Sequence, residues 1–412
     1  MNILLVTNNL YPTGGDWTYV DSVAKLYKAH GHNVYLFGQR NEKNVDQSFE
    51  KYYVKAFDKN EKNKLKLAFQ VLTRTIYCKE AESKMEQFLK EFNIDVVQLN
   101  SFNIGLTPSI INAIDRANIP MVWRVIEYKT LCPNIYLMRN GTVCEECMGG
   151  KFYNCVKHRC KNGSLLQSIA VALETYVYSK RKEYSKVTIR SYQNYFTRDL
   201  YKRFGVDTSN SVVEVNPYDS NTATPNYTPG EYVLYFGRLV RPKGVMTILK
   251  AAELTPDIKY VIVGTGDLED DMARIVKEKN LSNVDLRGPA WGKDMDAIIQ
   301  NCRFVISASE WYEPSSYVAL QSFANGKPVI ASHQGGVKEI VKDGYSGLLF
   351  ETGNPEDLAH TITKLYNDLE LVETLGRNGR HELETEYSPE GYYERTIALF
   401  EKLIREKKHD RL

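Results

Sequence analysis

Residues 232–349 constrain the fold of this chain more than any other stretch, because two loops of unusual composition lie in it. The first loop reads Phe-Gly-Arg-Leu-Val-Arg-Pro-Lys-Gly (236–244) and directly follows the apolar run 232–236. The second reads Ser-Glu-Trp-Tyr-Glu-Pro-Ser-Ser-Tyr (309–317) and opens a helical run. An apolar run, a loop and a helix in succession predict a parallel sheet, with such loops meeting at the carboxyl edge of its strands.

The first loop has the residues that an anionic ligand needs. Arg238 and Lys243 can reach into a crevice at the end of the strand and form charge-assisted hydrogen bonds to a diphosphate. Gly237 and Gly244 let the backbone pass close to such a ligand. A solvated basic turn would have the same composition, so the assignment depends on the second loop.

The second loop adds backbone donors. Ser315, Ser316 and Tyr317 begin the helix, so their N–H groups point out of its positive end towards a place where a diphosphate can bind. The two loops together resemble the carboxy-terminal domain of family 4 retaining glycosyltransferases, of the glycosyltransferase group 1 type. The resemblance implies an α/β protein with the GT-B fold, in which two Rossmann-like domains face each other across a cleft.

The resemblance also implies roles for individual residues. Arg238 and Lys243 would stabilise the charge that develops on the departing diphosphate, and Glu313 would position the donor sugar. In the family a second glutamate, eight positions after the first, binds the ribose hydroxyls. This chain has Gln321 there, so we expect the ribose contact to survive in weakened form.

A second departure from the family pattern lies in the first half of the chain. Family members commonly read His-Asp-Tyr after the strand near residues 119–122, with the histidine near the donor sugar. Here the sequence is Ile126-Glu127-Tyr128. Isoleucine forms no hydrogen bond, so the role of the histidine is lost or moves to Glu127. A changed donor preference and a catalytically weak paralogue both remain open.

The amino-terminal half repeats the strand, loop and helix pattern. An apolar run at residues 1–7 precedes a turn with Gly14 and Gly15, a helical run follows, and residues 34–38 return as a strand. This order predicts a right-handed crossover onto a parallel sheet. By the resemblance, the backbone at Gly14 and Gly15 faces donor phosphate or acceptor, and both glycines count among the donor-binding residues.

The domain limits follow from length, linkers and the resemblance. With 412 residues and 43% hydrophobic content, the chain can bury two domain cores. We expect an acceptor-binding domain at residues 1–215, with a cysteine-rich insert at 132–160, and a nucleotide-sugar-binding domain at 216–387. Ser388 and Pro389 predict a helix start, and residues 388–412 are assigned to the first domain because the last GT-B helix returns there.

The charge distribution differs between the two halves. Residues 1–220 hold 30 basic and 22 acidic residues, a net charge of +8, which leaves −6 for residues 221–412. Residues 51–74 combine seven lysines and arginines with aromatic and leucine residues. Such a segment can rest on anionic lipid headgroups, or it can be a solvated helix face. No nucleic-acid module accompanies it, so nucleic acid is not an expected partner.

Five of the seven cysteines lie within thirty residues. Four of them have the spacing C-x2-C-x7-C-x4-C: Cys144, Cys147, Cys155 and Cys160. In a chain without an export signal this spacing favours tetrahedral zinc coordination over disulfides. Some family 4 members have similar cysteines at this place. We therefore expect one structural zinc, with reduced thiols in a loop as the alternative.

The sequence thus predicts a retaining, hexosyltransferase-type enzyme that needs no cofactor for catalysis. It would transfer a sugar from a nucleotide-diphosphate donor, UDP-linked in preference to GDP-linked, to a saccharide or lipid-linked acceptor in surface polysaccharide or glycan synthesis. A silent binding subunit of a glycosylation complex, and a GT-B phosphorylase or epimerase, are the alternatives. Without a recognisable secretory signal or spanning helix, we expect a cytoplasmic protein that associates with membranes.

Overall fold

The structure, a computed structural model, describes residues 1–56 and 76–409. The chain forms two compact units. The N-terminal unit comprises Met1–Leu137, Glu145–Pro217 and Glu390–Leu412, and the C-terminal unit comprises Met138–Cys144 and Tyr218–Pro389. Each unit has its own parallel sheet and its own helices.

The N-terminal unit contains a six-stranded sheet. Its strands are β1 (Asn2–Val6), β2 (Asn33–Phe37), β5 (Val96–Leu99), β6 (Met121–Val125), β9 (Ile189–Tyr192) and β10 (Ser211–Val213). They pair in the order β10-β9-β6-β5-β1-β2, and every pair is parallel. The short strands β3 (Gln39–Arg40) and β4 (Val54–Lys55) pair with each other. The helices are α1 (Gly15–Ala29), α2 (Lys79–Glu91), α3 (Ser109–Arg116), α4 (Tyr153–Lys157), α5 (Leu165–Lys180), α6 (Tyr195–Arg203) and α14 (Pro389–His409).

The C-terminal unit contains a second six-stranded parallel sheet. Its strands are β11 (Tyr232–Phe236), β12 (Lys259–Val263), β13 (Val284–Arg287), β14 (Phe304–Ser307), β15 (Val329–Ser332) and β16 (Gly347–Phe350). Their order is β13-β12-β11-β14-β15-β16. The helices are α7 (Val245–Leu254), α8 (Glu269–Glu278), α9 (Gly292–Gln300), α10 (Tyr317–Ala324), α11 (Val337–Ile340), α12 (Pro355–Tyr366) and α13 (Leu369–Glu386).

Local sequence explains most of these elements. Parallel strands with helices on both faces need nearly continuous apolar runs, and β14 and β15 are buried along their whole length. The predicted strand, helix and strand unit at the amino terminus is confirmed, since β1 and β2 flank α1 and pair in parallel. The predicted helix start is confirmed as well, because α14 begins at Pro389.

One hairpin of the cysteine-rich insert belongs to a different unit from the residues on either side of it. The strands β7 (Met138–Arg139) and β8 (Thr142–Val143) form an antiparallel hairpin that groups with the C-terminal unit, although it lies within the stretch expected in the first domain. Within that unit, the Arg241 guanidinium donates to the Asn140 carbonyl oxygen at 3.3 Å. This contact gives the hairpin a partner in the loop that follows β11.

Two expectations concern membranes. Among residues 1–56 and 76–409, no helix combines the length and the apolar character needed to cross a bilayer. Of the basic segment 51–74, residues 57–74 lie outside the described residues, so membrane contact there stays a prediction. In the described part, Lys51 forms an ion pair with Glu91 at 2.9 Å.

Candidate functional site

The loop after β11 brings its two predicted cations to the carboxyl edge of the second sheet. Arg238 is exposed, and its carbonyl oxygen accepts a hydrogen bond from the Tyr235 hydroxyl at 2.8 Å. Lys243 is largely buried, and Gly244 follows it as the cap of α7. Gly237 N–H donates to the Val263 carbonyl oxygen at 3.0 Å, which ties this loop to the end of β12. The loop is therefore held by its backbone, while the side chain of Arg238 faces solvent.

Glu313 is the centre of the site. Its side chain is only 8% exposed, and the Lys243 ammonium donates to one carboxylate oxygen while the Ser309 hydroxyl donates to the other. Burial first, and then the negative charge of Glu313, raise the pKa of the neighbouring Tyr235 hydroxyl far above its ordinary value. The carboxylate is thus fixed by two side-chain donors, one of them charged. Ser309 was missed by sequence reasoning, although it stands in the same loop.

Two glycines make this arrangement possible. Gly244 has φ +67°, and a Cβ there would lie 1.8 Å from the Ala308 carbonyl oxygen at the end of β14. Gly335 has φ +70°, and a Cβ there would lie 2.8 Å from the Glu313 backbone nitrogen. Both positions have the left-handed conformation that glycine adopts without steric strain. They let the loops after β11, β14 and β15 approach each other closely around Glu313.

The helix α10 begins four residues after Glu313. Ser316 caps it, and the Ser316 hydroxyl accepts a hydrogen bond from the Ala319 N–H at 3.3 Å. Ser315 precedes the cap, and Tyr317 is the first residue of the eight-residue helix. As predicted from the sequence, the start of this helix lies in the same loop as Glu313, with the partial positive charge of its backbone N–H groups.

Gln321 contacts a carboxylate that is distant from it in the sequence. Its side-chain amide lies 3.4 Å from Asp296 on α9, in donor geometry, and the Asn325 amide also donates to Asp296 at 3.3 Å. Asp296 lies on the helix α9. The sequence does not reveal that α9 brings a carboxylate beside Gln321, which stands at the position of the family's second glutamate.

The N-terminal unit has its own polar cluster at the ends of β5 and β6. The Asn103 amide donates to the Glu127 carboxylate at 2.7 Å, while Ile126 offers no polar side chain. Burial raises the pKa of Glu127, with a smaller contribution from Asp16 at the start of α1. Gly14 caps α1 with φ +130°, and Gly15 is its first residue. The glycine turn and Glu127 therefore belong to one edge of this sheet.

A cavity of about 540 Å³ opens in the C-terminal unit, lined by the hairpin β7–β8, by α7 and α8, and by the ends of β14, β15 and β16. In its wall, Glu310 accepts from the Thr247 hydroxyl at 2.6 Å, and its carbonyl oxygen accepts from the Gln334 amide at 2.8 Å. Arg238, Lys243 and Glu313 are not among its lining residues. Glu310 in the wall and Glu313 lie in the same loop, 309–317.

The cysteines do not form the predicted zinc site. Within the described parts of the chain, no group of three or more His, Cys, Asp or Glu side chains is arranged to hold a metal ion. Cys147 and Cys155 are buried in a small apolar cluster with Phe152, and Cys160 packs against it. Cys144 belongs to the C-terminal unit, whereas Cys147, Cys155 and Cys160 belong to the N-terminal unit. Burial, and next the nearby Cys160, raise the pKa of Cys155 to about 12, which favours a neutral thiol in this environment.

The architecture of two parallel α/β domains is that of the GT-B fold of glycosyltransferases. Solved structures agree with this over nearly the whole chain. Sucrose-phosphate synthase from Thermosynechococcus elongatus matches with a TM-score of 0.74 at 17% identity, covering 98% of this chain and 99% of that one. HepE from Anabaena in complex with UDP matches with a TM-score of 0.66 at 16% identity, covering 98% and 100%.

Sequence comparison identifies the family of the C-terminal unit. Residues 221–382 match the family described as glycosyl transferases group 1. An uncharacterized glycosyltransferase of Methanocaldococcus jannaschii is 35% identical over 182 residues, which are 44% of this chain and 50% of that protein. A poly(ribitol-phosphate) alpha-N-acetylglucosaminyltransferase of Staphylococcus aureus is 26% identical over 208 residues, covering 49% and 41%. The chain thus spans about half the length of the curated relatives it matches.

Proposed function

We propose that the protein is a retaining glycosyltransferase that transfers a hexose-type sugar from a nucleoside-diphosphate donor to a saccharide or lipid-linked acceptor. The observation that carries the proposal is the contact of Lys243 and Ser309 with Glu313. It places a cation and a fixed carboxylate beside the start of α10, within a domain of the group 1 glycosyltransferase family.

Arg238 and Lys243 would bind the donor diphosphate and stabilise its charge as the bond to the sugar breaks. Donor binding would exchange the Lys243–Glu313 pair for a pair between Lys243 and phosphate. Glu313 would then remain bonded to Ser309 and would have an oxygen free to accept from a sugar hydroxyl. A phosphate oxygen of the leaving group can take the acceptor proton, so the mechanism needs no separate base.

The ribose contact would be divided between Gln321 and Asp296. In the family a glutamate at the position of Gln321 accepts from the ribose hydroxyls, and here the nearest carboxylate is that of Asp296. A carboxylate makes the stronger hydrogen bond, so Asp296 would supply the charged acceptor and Gln321 would orient it. By the resemblance, Gly14, Gly15 and Glu127 would contribute to ligand binding within the N-terminal unit.

We favour UDP over GDP as the nucleotide, because structural neighbours include HepE in complex with UDP-glucose and TarM of Staphylococcus aureus in complex with UDP. A role in surface polysaccharide synthesis is supported by relatives such as a lipopolysaccharide core glycosyltransferase of Rhizobium meliloti. The same proposal includes a cytoplasmic location, where nucleotide sugars are available as donors.

Calorimetry with UDP, GDP and ADP, followed by a screen of donor hydrolysis, tests the proposal. Binding of one nucleoside diphosphate, and release of that nucleotide from its sugar, are the expected results. Retention would be supported if the anomeric bond of the transferred sugar is axial in the donor and also axial in the product. The signal of the anomeric proton reports this. A silent subunit would bind nucleotide without hydrolysis or transfer, and an epimerase would convert the donor without acceptor.

A further inference from the structure

The helix α5 exposes apolar side chains and buries polar ones. Leu166 is 78% exposed and Tyr176 is 50% exposed. The apolar face of α5 is defined here by its five large exposed side chains: Leu165, Leu166, Ile169, Leu173 and Tyr176. They recur at intervals of three and four residues, so they form one stripe along the helix. A stripe of this kind normally faces the core of a protein.

The opposite side of α5 explains why the helix does not turn its leucines inward. Ser168, Glu174 and Thr175 lie on this side and are buried. The Lys129 ammonium donates to the Glu174 carboxylate at 2.8 Å, and the Ser168 hydroxyl accepts from the Lys161 N–H at 3.0 Å. Rotating the helix would leave Lys129 buried without its partner, which is strongly unfavourable. The orientation of the apolar face is therefore fixed by polar contacts.

The surroundings of this face are basic. Residues 151–186 contain two acidic side chains, Glu174 and Glu183, and both are buried and paired with cations. The same stretch contains eight basic residues, four before α5 and four from its last residue onward: Lys151, Lys157, Arg159, Lys161, Lys180, Arg181, Lys182 and Lys186. The apolar stripe thus has positive charge at both ends and no exposed carboxylate within this stretch.

We propose that the apolar face of α5 docks on the surface of an anionic lipid bilayer, with the helix lying in the interface. Its sixteen residues span about 24 Å at 1.5 Å per residue, less than a bilayer core requires. Leucine and isoleucine would enter the acyl boundary, Tyr176 would lie at headgroup depth, and the flanking lysines would contact anionic headgroups. This site is separate from segment 51–74, and the inference does not depend on the proposed activity.

The charge pattern favours a bilayer over a protein partner. Cations at both ends of one apolar stripe match a continuous anionic plane, which attracts all of them at once. Headgroup attraction adds about 1 kcal/mol for each lysine or arginine near the surface, which corresponds to roughly fivefold in the partition coefficient. Salt should therefore weaken binding steeply.

Vesicle flotation of the whole chain tests the proposal. The probes are vesicles of phosphatidylcholine alone and of phosphatidylcholine with phosphatidylglycerol in about a three-to-one ratio. We expect binding to the mixed vesicles only. The variant Leu166→Gln/Leu173→Gln should lower the partition coefficient at least tenfold, whereas Leu254→Gln/Leu369→Gln, at two exposed leucine positions of the C-terminal unit, should leave it unchanged. Equal binding to both kinds of vesicle, or none to either, overturns the proposal.

A second pair of variants tests how much the positive charges contribute to vesicle binding. Lys180→Gln/Lys182→Gln should weaken binding to mixed vesicles about 25-fold, by the fivefold factor for each residue. The matched control Lys277→Gln/Lys364→Gln removes two exposed lysines from the C-terminal unit and should have no effect. Circular dichroism and the melting temperature check that each variant is folded.

Sedimentation velocity without lipid distinguishes a protein interface. If the wild-type chain self-associates, and Leu166→Gln/Leu173→Gln abolishes that association without affecting vesicle binding, the face is an interface between copies and the proposal is wrong. A monomer that binds mixed vesicles through this face supports it. Because nucleotide and acceptor are absent from these assays, failure here would leave the proposed transfer activity untouched.

Discussion

Each unit contains a lysine–glutamate pair in which both side chains are largely buried, and these two pairs differ in what surrounds them. Lys129, after β6, pairs with Glu174 on α5, and the two side chains are 4% and 9% exposed. Lys243, after β11, pairs with Glu313, and here the lysine is 19% exposed and the carboxylate has a second donor in Ser309. A sequestered pair can only hold the structure together. A lysine that reaches the edge of a sheet can exchange its partner for an anionic ligand.

The largest effect should come from breaking the buried Lys129–Glu174 pair, and it should be an effect on stability. Lys129→Met leaves the Glu174 carboxylate buried without its cation, so we expect a loss of about 3 to 5 kcal/mol in the free energy of unfolding. The double variant Lys129→Met/Glu174→Leu removes both charges and should recover most of that loss. Urea unfolding of the wild type, the single variant and the double variant measures these free energies of unfolding. A single variant as stable as the wild type would contradict the structural role given to this pair.

At the Lys243–Glu313 pair, substitution should affect activity more than stability, the reverse of what is expected for Lys129–Glu174. Lys243→Ala, and separately Arg238→Ala, should remove about 2 to 4 kcal/mol of transition-state stabilisation, roughly 30- to 900-fold in kcat/KM. The exposed residue Lys277 provides the control, as Lys277→Ala. Steady-state transfer or donor hydrolysis gives the rates. Wild-type turnover in either site variant would remove these cations from the mechanism.

Sequence patterns predict this fold well because its determinants are local. The apolar runs of β11 and β14 and the Ser388-Pro389 helix start can be read from a few neighbouring residues. The cations and Glu313 were identified because their loops resemble those of a family. Asp296 lies on another helix, and nothing nearby in sequence indicates that Gln321 lies beside it. Contacts across many residues, such as Lys129 with Glu174, have no local signal.

The same reasoning explains the error at the cysteines and the unexpected face of α5. The spacing of Cys144, Cys147, Cys155 and Cys160 is that of a zinc site, but spacing does not specify where thiols point. Cys155 lies among apolar side chains instead. For α5 the composition predicts an apolar helix. Which side is exposed is decided by Lys129, which lies far from the helix in the chain.

A smaller effect is expected at the ribose position. Gln321→Glu would bring a second carboxylate to within hydrogen-bond distance of Asp296, and two like charges there disfavour each other. We therefore expect nucleotide binding to weaken by about 1 kcal/mol, not to tighten. The exchange Asp296→Asn/Gln321→Glu restores one carboxylate and one amide and should recover the affinity. Calorimetry with the nucleotide that binds the wild type decides this, and tighter binding by Gln321→Glu alone would reject the role of Asp296.

The smallest effect concerns Glu127, a strand-end carboxylate that accepts a hydrogen bond from the Asn103 amide. Burial and the nearby Asp16 raise its pKa, while Asn103 and Lys129 act in the opposite direction. The folded protein therefore holds the Glu127 proton more tightly than the unfolded chain does. Its stabilising contribution is complete below the unfolded pKa, about 4.3, and is lost as pH rises through the higher folded pKa. Glu127→Gln stays neutral and can still accept from Asn103, so the variant should match the wild type near pH 4 and be more stable than the wild type above that pH. Melting temperatures of both proteins across a pH series test the sign. Parallel curves would mean that the ionisation of Glu127 is not linked to folding.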